Sequence, residues 1–147
     1  MNTSTTHGTD HETTLEERTI TELDHARVAR IARSRQPDSS NADPIDTVLD
    51  AADLVPSRAV PSDVVTMYTQ VQLADLASER KYRLTLCYPA DADPAAGLVS
   101  VLSPVGASLL GLRVGAVARW RQPDGEEGAA RVQGVLFQPE ASGDYTL

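Results

Sequence analysis

The stretch Ser100-Val101-Leu102-Ser103-Pro104-Val105-Gly106-Ala107-Ser108-Leu109-Leu110-Gly111-Leu112-Arg113-Val114-Gly115 decides the fold, because it holds a strand, a helix start, a helix stop and a turn in one short run. Leu98 to Leu102 is an apolar run suited to a buried strand. Ser103 offers a side-chain oxygen to the orphan amides of a helix start, and Pro104 brings the preset φ of a first helical position. Gly111 can adopt the left-handed conformation that closes the helix. Between them Val105, Leu109, Leu110 and Leu112 lie roughly on one helical face, so this short helix is expected to cover a sheet.

Working outward, the chain has 147 residues, 41% of them hydrophobic, enough for one good core and a small appendage. Its net charge of -8 argues against holding nucleic acid by phosphate neutralisation, which needs a basic face. A protein partner fits better, and an acidic surface would be steered toward basic openings if that partner belongs to a nucleic-acid machine. A single cysteine, Cys87, makes no internal disulfide; it reads as a small buried hydrophobe in a reducing compartment. No run reaches the ~18 apolar residues of a membrane span, and the N-terminus does not read as a signal peptide, so the expected location is the cytoplasm.

Residues 1–18 are nearly devoid of apolar side chains and read as a disordered leader. His7 and His11 have a metal-like spacing only if that segment is helical, which Gly8 and the early threonines oppose. A first helix opens at Thr21, where Thr21 to Asp24 approximates a capping box, and Ile20, Leu23, Val28 and Ile31 form its stripe. After a turn, Asp43 caps a second helix begun by Pro44, with Ile45, Val48, Leu49 and Ala52 at helical spacing. The two are expected to pack antiparallel as a short hairpin over residues 19–58.

From Asp63 the period becomes two. Val65, Met67, Thr69, Val71 and Leu73 alternate, and so do Tyr82, Leu84, Leu86 and Tyr88, which predicts an antiparallel pair. Asp91 and Asp93 lack the further oxygen ligands of a calcium loop. Beyond the central helix, Ala116 to Arg121 and Arg131 to Gln138 form another strand pair about the turn Pro123-Asp124-Gly125. Trp120 alternates with its strand neighbours and reads as packing. The expected architecture is α+β: the helical hairpin, then residues 59–147 as an antiparallel sheet with one short helix.

Four blocks carry a family resemblance: Val60-Pro61-Ser62-Asp63-Val64-Val65-Thr66-Met67, Tyr88-Pro89-Ala90-Asp91-Ala92-Asp93, Ser103 to Gly115, and Phe137-Gln138-Pro139-Glu140-Ala141. In this order they resemble the regulators of nucleoside diphosphate kinase, relatives of the Gre-type transcript-cleavage factors of RNA polymerase. The likeness covers about Thr19 to Leu147. It implies an FKBP-like fold for the carboxy-terminal part, binding to RNA polymerase near the secondary channel in competition with Gre factors, and an effect on nucleoside diphosphate kinase.

Gre factors carry acids at the tip of a long coiled coil, where they hold a catalytic magnesium. Here the corresponding tip, Arg35 to Asp43, offers only Asp38 and Asp43 as carboxylates. Helices of about 13 residues rise roughly 20 Å, about half the Gre length that the resemblance implies. The reading is therefore a non-enzymatic monomer without cofactor or metal, making no specific contact with nucleic acid. The contact residues to test are Ser103, Pro104, Val105 and Gly106 at the helix start, Leu112 and Arg113 behind it, and Arg33, Arg35 and Asp38 at the prong. A transcript-cleavage factor and an FKBP-like prolyl isomerase are the alternatives. Against the second stands an aromatic content of 4%, too little for an aromatic-walled proline pocket.

Overall fold

The computed structural model describes residues 17–35 and 44–145. In them β1 (Thr19–Thr21) runs into α1 (Glu22–Ser34), and α2 (Pro44–Ala51) runs into β2 (Asp53–Val55). Then follow β3 (Gln70–Asp75), β4 (Lys81–Cys87), β5 (Leu98–Ser100), α3 (Pro104–Leu109), β6 (Val117–Arg121) and β7 (Glu127–Phe137). The fold is mixed α+β, with a five-stranded sheet in the order β5-β4-β3-β7-β6, while β1 pairs with β2 apart from it.

The central stretch folds as its residues dictate. Ser103 Oγ accepts the Gly106 amide at 3.1 Å, Pro104 occupies the first turn, and Gly111 takes φ +87°. Leu109, Leu110 and Leu112 are fully buried, and Val105 half-buried. Gly106 has a second role: a Cβ there would overlap the Ser100 carbonyl oxygen and come within 2.7 Å of its carbon. Only a glycine lets α3 lie this close to the end of β5.

Both long helices are anchored on the body. The Asp24 amide donates to Thr21 Oγ1 at 3.0 Å, the expected cap of α1. His25 Nε2, near the start of α1, lies 3.1 Å from the Leu49 carbonyl near the end of α2. Val28, Ile45, Val48 and Leu49 join Val65, Met67, Leu73 and Leu109 in one hydrophobic cluster. Ala29 and Ala32 of the later turns of α1 pack against that cluster, while Arg33 and Ser34 at the helix end are exposed. The helix cap expected at Asp43, the tip residue Asp38, and His7 and His11 lie outside the described residues.

Four expectations are corrected. The strand read from Asp63 starts only at Gln70, because the two threonines close a turn instead. Thr69 N donates to Thr66 O at 3.0 Å, Thr66 N donates to Thr69 Oγ1 at 2.9 Å, and Tyr68 between them has φ +66°. Such local hydroxyl bonds compete with strand pairing, and Val64, Val65, Thr66 and Met67 are buried in succession, which alternation forbids.

The sheet is also not wholly antiparallel. β5 runs parallel to β4, Thr85 opposite Leu98 and Cys87 opposite Ser100. The segment between them folds into two 3-10 turns, Pro89–Asp91 and Pro94–Ala96, which carry the chain back before β5 begins. β7 starts at Glu127, earlier than its apolar residues indicate, because its first residues pair with β6 as an edge. Finally, Arg18 does not belong to a disordered leader: its guanidinium holds the end of α3, as described next.

Candidate functional site

The start of α3 is a tightly bonded corner. Ser103 N and Ser103 Oγ both donate to the Ser100 carbonyl, at 3.0 and 2.7 Å, while Leu102 N donates to Ser100 Oγ at 3.0 Å. The corner sets Pro104 on the rim of a groove of about 560 Å³. One wall is α2 through Pro44, Thr47, Val48 and Ala51; a second is α3 through Pro104, Ala107 and Ser108; the third is Arg119, Trp120 and Arg121 of β6. Glu17, Arg18 and Asp53 complete the lining.

Trp120 reaches this groove because of a glycine. It stands opposite Gly128 on β7, where a Cβ would come within 2.6 Å of the indole nitrogen. Its ring is thus packed on the strand pair and also exposed to the groove, more than the packing role expected from sequence.

Arg18 builds the opposite corner. Its Nη1 donates to the carbonyls of Ala107 at 3.3 Å, Ser108 at 3.0 Å and Leu110 at 2.9 Å. These are carbonyls at the end of a six-residue helix, and a cation there satisfies orphan acceptors and opposes the helix dipole. The Arg18→Ala variant is expected to lose about 2 kcal/mol, the range of hydrogen bonds to a charged donor. A urea midpoint unchanged from the parent would refute that role.

The predicted contact residues fall in three places. Pro104 lines the groove, with Ser103 capping the helix just before it and Val105 half-buried after it. Arg113 is exposed and pairs with Asp63 through two bonds, 3.2 and 3.3 Å. Arg33 is exposed at the end of α1, followed by Arg35, and Asp38 lies outside the described residues. Two members must be withdrawn as surface contacts. Leu112 is fully buried because it plugs the core below Gly111, and Gly106 is buried against Ser100. The residues that sequence reasoning missed are Arg18, Trp120 and the α2 wall, whose only sequence signal was the lone Trp between two arginines.

A polar cluster lies under α1. Asp24 is 1% exposed, and its Oδ2 accepts the Met67 amide at 3.1 Å. Burial pushes its carboxyl up to about 6, with nearby Glu140 adding to the rise. Thr66 Oγ1 donates to Glu140 Oε1 at 2.7 Å. The Tyr88 hydroxyl is buried beside Arg27 and Asp24, and burial pushes it up to about 12. Tyr68 is likewise raised to about 12, by burial and by its 2.7 Å bond to Asp91. The Cys87 thiol is raised by burial and directs Sγ at the Val99 carbonyl, 3.4 Å away. Among the described residues no cluster of three His, Cys, Asp or Glu side chains could hold a metal, and no helix is long and apolar enough to cross a membrane.

This is the fold of a Gre-type carboxy-terminal domain. The family described as transcription elongation factor GreA/GreB, C-term, matches residues 60–135. The regulator of nucleoside diphosphate kinase of Escherichia coli K12 is 41% identical over 106 residues, 72% of this chain and 78% of that protein. Transcription elongation factor GreA of Chloroherpeton thalassium is 33% identical over 81 residues, 55% of this chain and 51% of that one. Among solved structures, a GreA/GreB elongation factor from Nitrosomonas europaea superposes with a TM-score of 0.66 at 30% identity, covering 82% of this chain and 98% of that one. The chain belongs to the GreA/GreB family and, within it, to the regulators of nucleoside diphosphate kinase.

Proposed function

We propose that the protein is a non-enzymatic transcription regulator that binds RNA polymerase near the secondary channel, competes there with Gre-type factors, and acts on nucleoside diphosphate kinase through transcription. Family membership supports a Gre-related regulator. The observation that carries the finer reading is the length of α1: its 13 residues, Glu22–Ser34, rise only about 20 Å. In this reading residues 19–58 are a short helical hairpin and residues 59–147 an FKBP-like docking domain. The prong occupies the entrance without delivering carboxylates to the reaction centre. The protein works as a cytoplasmic monomer, and its net charge of -8 leaves recognition to polymerase rather than to nucleic acid.

The test is displacement of a labelled Gre factor from core polymerase by the full chain, run beside a stalled elongation complex. Displacement with no shortening of the RNA is expected; shortened RNA would make the protein a cleavage factor, and no displacement would end the reading. Arg113→Glu removes an exposed ion pair worth at most about 1 kcal/mol to the fold. At the docking surface the same change is expected to raise the concentration for half displacement about tenfold, a 1.4 kcal/mol effect. Half displacement within twofold of the parent would remove Arg113 from the contact set.

A further inference from the structure

The five-stranded sheet covers the core with one face and shows the other to solvent. Leu73, Leu84, Ala118, Trp120 and Val132 belong to the core face, so alternation turns their strand neighbours outward. On the outer face stand Lys81 and Arg83 of β4, Arg131 of β7, and Arg119 and Arg121 of β6, all exposed. Register draws them together: Lys81 is opposite Ala74, Ala74 is opposite Arg131, and Arg131 is opposite Val117. Lys81 and Arg131 are therefore two strands apart, about 10 Å. The carboxylates at the margin are Glu127, paired with Arg121 at 3.1 Å, and Asp75 and Glu79 in the neighbourhood of Lys81. In a chain of net charge -8, such a basic face attracts acidic partners.

A second groove, of about 550 Å³, opens here; its lining includes Val114, Gly115, Arg131, Gly134 and Leu136 and contains no carboxylate. Val114 and Leu136 are 40% and 47% exposed. Arg131 is held at the rim by donating from Nη1 to the Gly115 carbonyl at 2.8 Å. The groove exists because β6 is shorter than β7. On the β6 side of β7 the last backbone bonds run from Gly115 N to Val132 O and from Val132 N to Ala116 O, at 2.8 and 2.9 Å. From Gln133 to Leu136, β7 has β3 as its one neighbouring strand, and among the described residues no other backbone bond reaches it. Such an edge can accept a further strand. Gly134 lies in the middle of it, and the fold does not call for a glycine there: its φ is not left-handed, and a Cβ would meet nothing within 4 Å. A strand glycine of that kind marks a place where another backbone comes close.

We infer that this groove binds an extended acidic segment of a partner protein, added as a strand along the free edge of β7. An apolar side chain of the segment lies between Val114 and Leu136, and its carboxylates turn toward Arg131 in the field of the other four cations. A peptide fits this surface better than a single-stranded nucleic acid does. Nucleic acid holds such faces by stacking bases on aromatic side chains, and the one large aromatic side chain exposed here is Phe137. Backbone pairing with a strand edge is open to a peptide alone. A second copy of the chain would set the same cations against each other. The site lies across the sheet from Trp120, and the inference does not rest on the proposed polymerase function.

The full chain, isotopically labelled, is titrated with an end-capped peptide of about nine residues in which glutamate alternates with valine and leucine, the pattern of a strand with one charged face. By nuclear magnetic resonance, the amide signals of Gln133, Gly134 and Leu136 are expected to shift and saturate. The indole signal of Trp120, the single tryptophan, is expected to stay in place. The same peptide N-methylated at every residue keeps its charge but cannot pair, and is expected to bind at least about tenfold more weakly. Arg131→Gln is expected to weaken the parent peptide about fivefold, and 0.5 M salt about tenfold. No saturable shift from Gln133 to Leu136, equal binding of the N-methylated peptide, or binding unmoved by both Arg131→Gln and salt overturns the inference. Tighter binding of an oligouridylate of equal charge at the same amides also overturns it, in favour of nucleic acid. Shifts there that follow protein concentration without peptide overturn it in favour of a second copy.

Discussion

Replacing Gly106 by alanine is expected to cost at least about 4 kcal/mol, in the range that unfolds a small domain outright. The direction is opposite to that of an ordinary helix substitution, where Gly→Ala gains up to about 1 kcal/mol. The new methyl would overlap the Ser100 carbonyl oxygen and crowd Val101 Cα at 3.0 Å, both of them backbone that no rotamer change can move aside. Lifting α3 off β5 does not relieve the clash cheaply. It breaks the bonds from Ser103 N and Ser103 Oγ to that same carbonyl, and it uncovers Leu109 and Leu110. Urea unfolding followed by Trp120 fluorescence checks the result, with Gly134→Ala as the comparison, since a Cβ at Gly134 meets nothing within 4 Å. If the Gly106 variant unfolds within about 1 kcal/mol of the Gly134 variant, the close approach of α3 to β5 is not what holds this corner.

The helix that Gly106 belongs to was readable because its signals are local. Ser103, Pro104 and Gly111 each act on backbone within a few residues, so the sequence places both ends of α3 correctly. The turn at Thr66 and Thr69 was local too, but its signal is two hydroxyls within a β-like pattern, and hydrophobic alternation outvoted them. The direction of β5 was not readable at all. Nothing in Leu98–Ser100 distinguishes parallel from antiparallel pairing; the loop before it does so, by where its two short turns deliver the chain.

The groove shows the same limit at larger scale. Its walls come from α2, α3, β6 and the residues just before β1, segments separated by tens of positions. Sequence found the α3 rim through Ser103 and Pro104. It could not find Arg18, whose bonds span about ninety residues to carbonyls that any sequence would supply. Leu112 fails for the converse reason: an apolar residue beside a recognised motif reads equally as contact or as core, and burial decides for core.

Stability of the chain is expected to fall as pH rises through about 6, and Asp24 is the cause. Its carboxyl titrates near 6 in the folded protein, against 3.8 for an unperturbed Asp, because burial disfavours the charge and Glu140 adds to the effect. The folded state therefore holds a proton that the unfolded chain has already released between those two values. The stabilisation is fully present below pH ~4 and lost once pH exceeds ~6, a difference of about 3 kcal/mol for a shift of about two units.

The charge is tolerated because Oδ2 accepts the Met67 amide, which the chain presents as it crosses under α1. That bond ties the helix to the Thr66–Thr69 turn, 43 residues further along. Asp24→Asn keeps an acceptor for Met67 and removes the titration. Packing differences between the two side chains do not depend on pH, so the informative quantity is how the gap between parent and variant changes from pH 4 to pH 7.5. It is expected to move by about 3 kcal/mol in favour of the variant. Parallel stability curves for parent and variant across that interval would show that the Asp24 carboxyl titrates alike in the folded and unfolded chain, and so is not desolvated under α1.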